Sequence, residues 1–198
     1  MFGLVYTLST VGSGMATAKT GSFYLTETVT LPAALPNGSR VTGTIDLGAY
    51  VNVATGQAIA IDSVDFVYQA GADFGTNLSG MVQGDAALGG QLVDLNPGTR
   101  YVRADNQSLI ASGALNIDAA NNVVSHSNDL YPDNYGSAGS LSEMFMVVND
   151  TLYLTAGNDA AVTGGADNYI TARIRARVVK LGSKDWMALA LQSTASDN

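Results

Sequence analysis

Few residues of this chain belong to the types that catalyse reactions or hold metal ions. The sequence has no cysteine and one histidine, His126. These counts exclude cysteine-ligated zinc, iron–sulfur clusters, thiol nucleophiles and any metal motif that needs two histidines. Asp62 and Asp65 are three residues apart, so on a regular strand they face opposite sides and make a poor acid/base pair. We therefore predict that the protein is not an enzyme and has no catalytic residues.

Two loops rich in Asp and Asn contain the ligand types that calcium prefers. Carboxylate and amide oxygens bind calcium, but neither loop has the spacing of an EF-hand. Asx residues are also common in turns, because their side chains hydrogen-bond the nearby backbone. The sequence therefore predicts no cofactor, with calcium as the alternative. The candidate calcium ligands are Asp129, Asp133, Asp159 and Asp167.

The clearest charge pattern is a basic segment near the end of the chain. Alternate side chains of a strand point to opposite faces, so Arg173, Arg175 and Arg177 share one face. Five of the nine Lys and Arg residues lie between Arg173 and Lys184, although the chain has a net charge of −8. This face is predicted to contact nucleic acid, anionic lipid or an adjacent subunit. The alternative is a solvated face whose arginines pair with acids on neighbouring strands.

The elements that must position these residues are predicted to be strands almost throughout. The acidic residues are fifteen Asp and two Glu, and the chain has 22 Gly. Asp and Gly favour turns, whereas Glu favours helices. Alternation of apolar and polar residues predicts a series of separate strands. These strands are Phe23–Leu31, Val41–Leu47, Ala58–Gln69, Arg100–Arg103, Gln107–Ala111 and Tyr169–Leu181.

Two hairpins and two long loops complete the predicted series. The turn Asp118–Asn122 is predicted to join the two strands of one hairpin. Met144–Val148 and Leu152–Thr155 are predicted to form the second hairpin, around Asn-Asp. Segments 71–90 and 126–142 are predicted to be mostly loop, the first with a short strand near Met81-Val82.

A single helix and an unequal set of connections indicate the architecture. The helix is predicted near 183–192, with Ser183 as its N-cap. Residues 1–19 are predicted to form a flexible N-terminal arm, and 20–198 a single domain. Eight to ten strands with connections of very different lengths favour an all-β, antiparallel sandwich of jelly-roll type. The apolar stripe of the helix consists of Trp186, Leu189 and Ala190.

The scarcity of charge bears on association. Charged residues are 13% of the chain, against roughly 25% in a typical soluble domain. A surface with few ions has little electrostatic protection against sticking to its neighbours, and interface cores are depleted in charge. We therefore predict that copies of the chain pack against one another. The alternative is a monomer with an exterior rich in Asn and Thr.

Two stretches resemble the single jelly-roll major capsid proteins of icosahedral viruses that infect archaea and bacteria. Val41–Gln69 is a strand, an aromatic-containing connector and a long second strand. Tyr169–Leu191 is a basic strand followed by a short helix. The resemblance implies a self-assembling coat protein in the virion, with copies of itself and other capsid proteins as partners. It also implies a viral genome or an internal membrane as a partner of the arginine face.

Two other functions are compatible with the same patterns. In the first, the protein is a subunit of an extracellular filament or surface layer, in which the arm donates a strand to the adjacent subunit. In the second, it is a monomeric carbohydrate-binding β-sandwich module. The three functions differ in whether copies of the chain associate and in whether the arm takes part.

Overall fold

The structure is a computed structural model, and it describes residues 16–77, 80–130 and 144–195. Within these ranges the chain forms ten strands and one helix. The strands are β1 Thr17–Ala18, β2 Phe23–Leu31, β3 Arg40–Asp46, β4 Gln57–Ala70, β5 Ala86–Val93, β6 Leu109–Asp118, β7 Val123–Leu130, β8 Phe145–Val147, β9 Thr151–Asp159 and β10 Asn168–Lys180, and the helix is α1 Ser183–Ala195.

The strands form two five-stranded antiparallel sheets. In sheet A, β10 pairs with β4 on one side and with β2 and β1 on the other, and β8 lies beyond β4. In sheet B the order is β3-β9-β5-β6-β7. Strands β2 to β5 alternate between the sheets, as do β8 to β10, so the chain crosses the sandwich repeatedly. This strand order is that of a jelly roll, which confirms the predicted all-β fold class.

The core lies between the two sheets and fixes which face of each strand points outward. In β10 the side chains of Ile170 and Ile174 are fully buried, while Arg173 between them is exposed. Burying one Ile or Leu side chain contributes about 1.5–3 kcal/mol, so the alternation strongly favours one register. The largest buried side chains include Leu31, Ile59, Ile61, Ile170 and Ile174 from sheet A, and Leu88, Leu92, Leu152 and Leu154 from sheet B.

Helix α1 covers one end of sheet A from outside. Its first hydrogen bond runs from the N–H of Trp186 to the carbonyl of Gly182, so Gly182 is the N-cap and the prediction of Ser183 is wrong by one residue. No helix in the described ranges is long and apolar enough to cross a membrane. The predicted stripe Trp186, Leu189 and Ala190 packs against Ala58, Ala60, Val148, Val179 and Leu181.

The N-terminal arm and the long loops differ from the predictions in part. Residues 1–15 lie outside the described ranges, but Thr17 and Ala18 pair with Lys180 and Val179 of β10, so the end of the predicted arm belongs to sheet A. Strand β7 continues to Leu130, into the segment predicted as loop 126–142. Residues 131–143 lie outside the described ranges.

Three strand predictions are wrong for reasons of tertiary structure. Strand β5 begins inside the predicted loop 71–90. The prediction missed it because the Ala- and Gly-rich sequence of this strand has no alternation of apolar and polar residues. Its Gly90 faces Phe66, and an added Cβ would lie 3.1 Å from that ring. Segment 100–103 forms no strand. Strands β8 and β9 follow each other closely but belong to different sheets, so they form no hairpin.

We predict that the loop after β9 tolerates an added methyl group at Gly165 but not at Gly164. A Cβ at Gly164 would lie 2.1 Å from the carbonyl oxygen of Gly80, whereas nothing lies within 4 Å of one at Gly165. Gly164→Ala should lower the free energy of unfolding by about 1–3 kcal/mol, and Gly165→Ala by under about 0.5 kcal/mol. Urea denaturation of both variants measures the difference, and equal stabilities would contradict this packing.

Candidate interaction surface

The structure places Arg173, Arg175 and Arg177 together on the outer face of sheet A. They alternate along β10 with buried apolar residues, and β10 is the central strand of the sheet. The three side chains have different environments: Arg173 is exposed, Arg175 is half-buried, and Arg177 has 19% of its side chain exposed. Burial of the arginine side chain therefore increases along β10 from Arg173 to Arg177.

Two of the arginines bind one buried carboxylate, Asp62 of β4. The Nη2 of Arg177 donates to both carboxylate oxygens of Asp62, at 3.1 and 3.0 Å. The Nε of Arg175 lies 3.5 Å from Oδ2, and the hydroxyl of Ser22 donates to the same oxygen at 3.2 Å. The side chain of Asp62 is 1% exposed. A carboxylate so buried is stable only with charged partners, and the two guanidinium groups supply them.

An irregularity in β4 brings Asp62 to this face. The register with β10 shifts so that Arg175 lies opposite Ser63 and Ala176 opposite Ile61, which leaves Asp62 as the extra residue. Ile61 and Val64 both point into the core, so the residues between them face outward. Asp65 follows Val64 by one residue and is exposed on the same outer face. The prediction that Asp62 and Asp65 face opposite sides is therefore wrong, because it assumed an unbroken strand.

The third arginine contacts an exposed aromatic ring instead of the buried carboxylate of Asp62. The guanidinium carbon of Arg173 lies 5.2 Å from the ring centroid of Tyr24, which is 57% exposed. This geometry is a cation–π contact, worth about 0.5–1 kcal/mol at an exposed site. Around the pair, β2 presents a row of threonines, and the Thr28 and Thr171 hydroxyls lie 2.8 Å apart. This outer face of sheet A is called the arginine–tyrosine face below.

The outer face of sheet B is different because the connection between β5 and β6 folds over it. The Tyr101 ring lies against Gly89, where an added Cβ would be 2.8 Å from the phenol oxygen. The guanidinium of Arg40 lies over the same ring, 4.2 Å from its centroid, and its Nη2 donates to both oxygens of Asp159 at 2.7 and 2.8 Å. Burial raises the pKa of the Tyr101 phenol, so it stays neutral.

The four aspartates predicted as calcium ligands are not brought together within the described residues. Asp159 is paired with Arg40, and Asp167 accepts a hydrogen bond from the Ala33 N–H at 2.9 Å. Asp129 lies in β7, where the structure describes the backbone alone, and Asp133 lies outside the described ranges. The described residues contain no group of three or more His, Cys, Asp or Glu side chains that could hold a metal ion.

Sequence reasoning missed the two partners of the arginines, Asp62 and Tyr24. One signal for Asp62 was present: the two isoleucines of β4, Ile59 and Ile61, are at odd positions, whereas Val64, Phe66 and Tyr68 after them are at even positions. A change of parity inside one strand is the signature of a bulge. No comparable signal exists for Tyr24, because its distance to Arg173 depends on the pairing of strands at opposite ends of the chain.

Comparison with known proteins adds a weak structural likeness. No family model matches the chain, and no curated protein matches it. Among solved structures, the chain is similar to the "Merkel Cell Polyomavirus VP1 Unassembled Pentamer", with a TM-score of 0.38 and 11% identity over 85% of this chain and 100% of that chain. A likeness with so low a TM-score supports no conclusion about function. The jelly-roll assignment rests on the strand order, and the family resemblance stays a prediction.

We predict that Asp62 stabilises the fold and that Asp65 does not. Asp62→Asn keeps the shape of the side chain but leaves two guanidinium groups without their shared carboxylate, at a cost of about 1–3 kcal/mol. Asp65→Asn, on the same face but exposed, should change stability by under about 0.5 kcal/mol. Thermal and urea unfolding measure both variants. An Asp62→Asn protein as stable as the parent would show that the ion pairs contribute nothing.

A second buried carboxylate, Asp94, lies where β5 ends. Asp94 is 5% exposed, and the Nδ2 of Asn149 donates to its Oδ2 at 3.3 Å. The residue borders a cavity of about 230 Å³ beneath α1. Burial raises the pKa of Asp94 to about 6, because the charged form is desolvated, while a backbone hydrogen bond lowers it in part. The folded protein therefore holds this proton more tightly than the unfolded chain does.

We predict that Asp94 makes the fold less stable as the pH rises. The pKa of Asp94 is near 4 in the unfolded chain and about 6 in the fold, so its stabilising contribution is present below pH 4 and is lost as the pH rises through 6. The loss amounts to about 2–3 kcal/mol. Asp94→Asn removes this contribution, so the stability difference between parent and variant should change between pH 4 and pH 7. A constant difference would contradict the raised pKa.

Proposed function

We propose that this protein is a structural coat subunit that associates with copies of itself to build a shell. The observation that supports the proposal is the arginine–tyrosine face, on which exposed Tyr24 of the outer strand β2 makes a cation–π contact with Arg173 of the adjacent inner strand β10. Tyr and Arg are enriched among the residues that dominate binding energy at protein interfaces. Apart from the end under α1, no described element covers this face.

The rest of the surface also suits contact between subunits. Only 13% of the residues are charged, so burying the exterior against a neighbour desolvates few ions. Large apolar side chains are exposed at several separate places on the sandwich. They are Tyr24, Val53, Phe74, Val123, Val124, Met187 and Leu191.

The location and partners follow from the same proposal. The shell is the coat of an icosahedral virus, as the resemblance of Val41–Gln69 and Tyr169–Leu191 implies, and the protein is located in the virion. Its partners are copies of itself arranged in capsomers. Jelly rolls occur in viral coats and in other proteins, including lectins, so the fold agrees with this function without selecting it.

Self-association is the measurable consequence. Light scattering after size exclusion, across a wide concentration range, should give species far larger than the 20.4 kDa chain, and negative-stain microscopy should show rings or shells. A monomer at every concentration up to about 1 mM, a range in which even weak contacts show, contradicts the proposal. Filaments in the micrographs would support the alternative of a filament or surface layer.

A matched pair of variants locates the contact. Tyr24→Ser should raise the concentration needed for half-assembly by about tenfold or more, as loss of a central interface residue does. Val53→Ser is the control, because Val53 is 69% exposed but lies in a turn away from this face. Equal assembly by both variants would mean that Tyr24 is not at the interface. Melting temperatures confirm that both variants are folded.

A further inference from the structure

The outer face of sheet B contains a groove that the covering loop leaves open. The groove has a volume of about 390 Å³ and crosses β9, β5, β6 and β7 near one end of the sheet. Strand register aligns one row of its residues, because Ala87 lies opposite both Asp159 and Asn116, and Asn116 lies opposite Ser125. Ser125 is exposed in this row. The groove is a concave surface on regular strands and not a gap between loops.

The groove is acidic and has an apolar rim. Its walls include three carboxylates, Asp85, Asp118 and Asp159, of which Asp159 is paired with Arg40, leaving two negative charges unbalanced. Hydrogen bonds from the side chain and backbone of Asn121 lower the pKa of Asp118, which keeps it ionised. Val123 lies opposite Asp118 in the β6–β7 hairpin and is 53% exposed.

This acidic groove and the arginine–tyrosine face point in opposite directions. Each sheet buries its apolar side against the other, so the two outer faces lie on the two sides of the sandwich. On sheet A three arginines face two carboxylates, Asp62 and Asp65, for a net charge of +1 on that face. The molecule, with −8 overall, is therefore polarised across its thickness.

We propose that the arginine–tyrosine face of one copy docks into the acidic groove of a second copy. The inference rests on the proposed self-association and assigns the two surfaces that meet. The guanidinium of Arg173 matches the unbalanced carboxylates, and the Tyr24 ring matches the apolar rim at Val123. The two surfaces differ, so the contact is head-to-tail and repeats from copy to copy, giving a closed ring or an open chain of subunits.

A charge change at one residue of each surface tests the pairing without removing the groove aspartates, whose side chains also bond the turns around them. Arg173→Glu puts a negative charge opposite the groove, and Ser125→Lys puts a positive charge in it opposite Arg173. Each should raise the half-assembly concentration at least about tenfold, since like charges at an interface are strongly unfavourable. The double variant restores an attractive pair and should recover most of the parent's assembly.

Two controls change the same positions without placing like charges opposite each other. Arg173→Lys keeps the charge but loses the planar contact with Tyr24, so it should assemble more weakly than the parent and better than Arg173→Glu. Ser125→Glu adds to the acidity of the groove and should assemble at least as well as the parent. Melting temperatures show that all five variants are folded.

The outcomes separate this inference from the proposed function. Parent-like assembly of both Arg173→Glu and Ser125→Lys, or a double variant no better than either single one, overturns the docking while the parent still assembles. If Arg173→Glu assembles normally but loses binding to single-stranded oligonucleotides or anionic vesicles, the face serves a polyanion and the docking is wrong. A parent that never associates overturns the proposed function, and this inference with it.

Discussion

The register of β10 within sheet A is the constraint on which the rest of the structure depends. The strand is hydrogen-bonded to β4 along its length and to β2 over most of it, and every second residue is buried in the core. A slip by one residue would bury the arginines and expose the isoleucines, at a cost of many kcal/mol. Core packing therefore makes Arg173, Arg175 and Arg177 point outward, and no interaction of the arginines themselves is needed for this.

The extra residue in β4 divides this arginine stripe into a structural part and an exposed part. By turning Asp62 outward next to β10, it supplies a carboxylate for Arg175 and Arg177, and Ser22 ties the segment before β2 to the same group. Desolvating three charges is expensive, so the cluster acts mainly by holding β4, β10 and the N-terminal segment in one arrangement. Arg173 lies opposite Asp65, further along β10, and is exposed on the surface beside Tyr24.

A chain with few charges can still distribute them unevenly. One outer face of the sandwich has an excess of positive charge beside an aromatic ring, and the other has an acidic groove beside an exposed valine. The threonines of β2 flank the first on one side, so close approach of a neighbour desolvates few charges there. In the contact proposed between copies, hydrophobic groups supply most of the affinity, and the few charges select the orientation.

Patterns of period two were sufficient to predict β2, β3, β4, β10 and the common face of the arginines, since one buried side of a strand imposes that period directly on the sequence. The jelly-roll class followed from the number of strands and the unequal lengths of their connections. The same patterns failed for β5, whose glycines and alanines fit under Phe66 without an alternation, and for β8 and β9, which are adjacent in sequence but pair in different sheets. Asp62 and Tyr24 acquired their roles from pairing between β10 and strands more than 100 residues away. Local sequence records which side of a strand is buried, whereas the strand beside it is selected by the packing of the whole chain, and the chemistry of this surface depends on that choice.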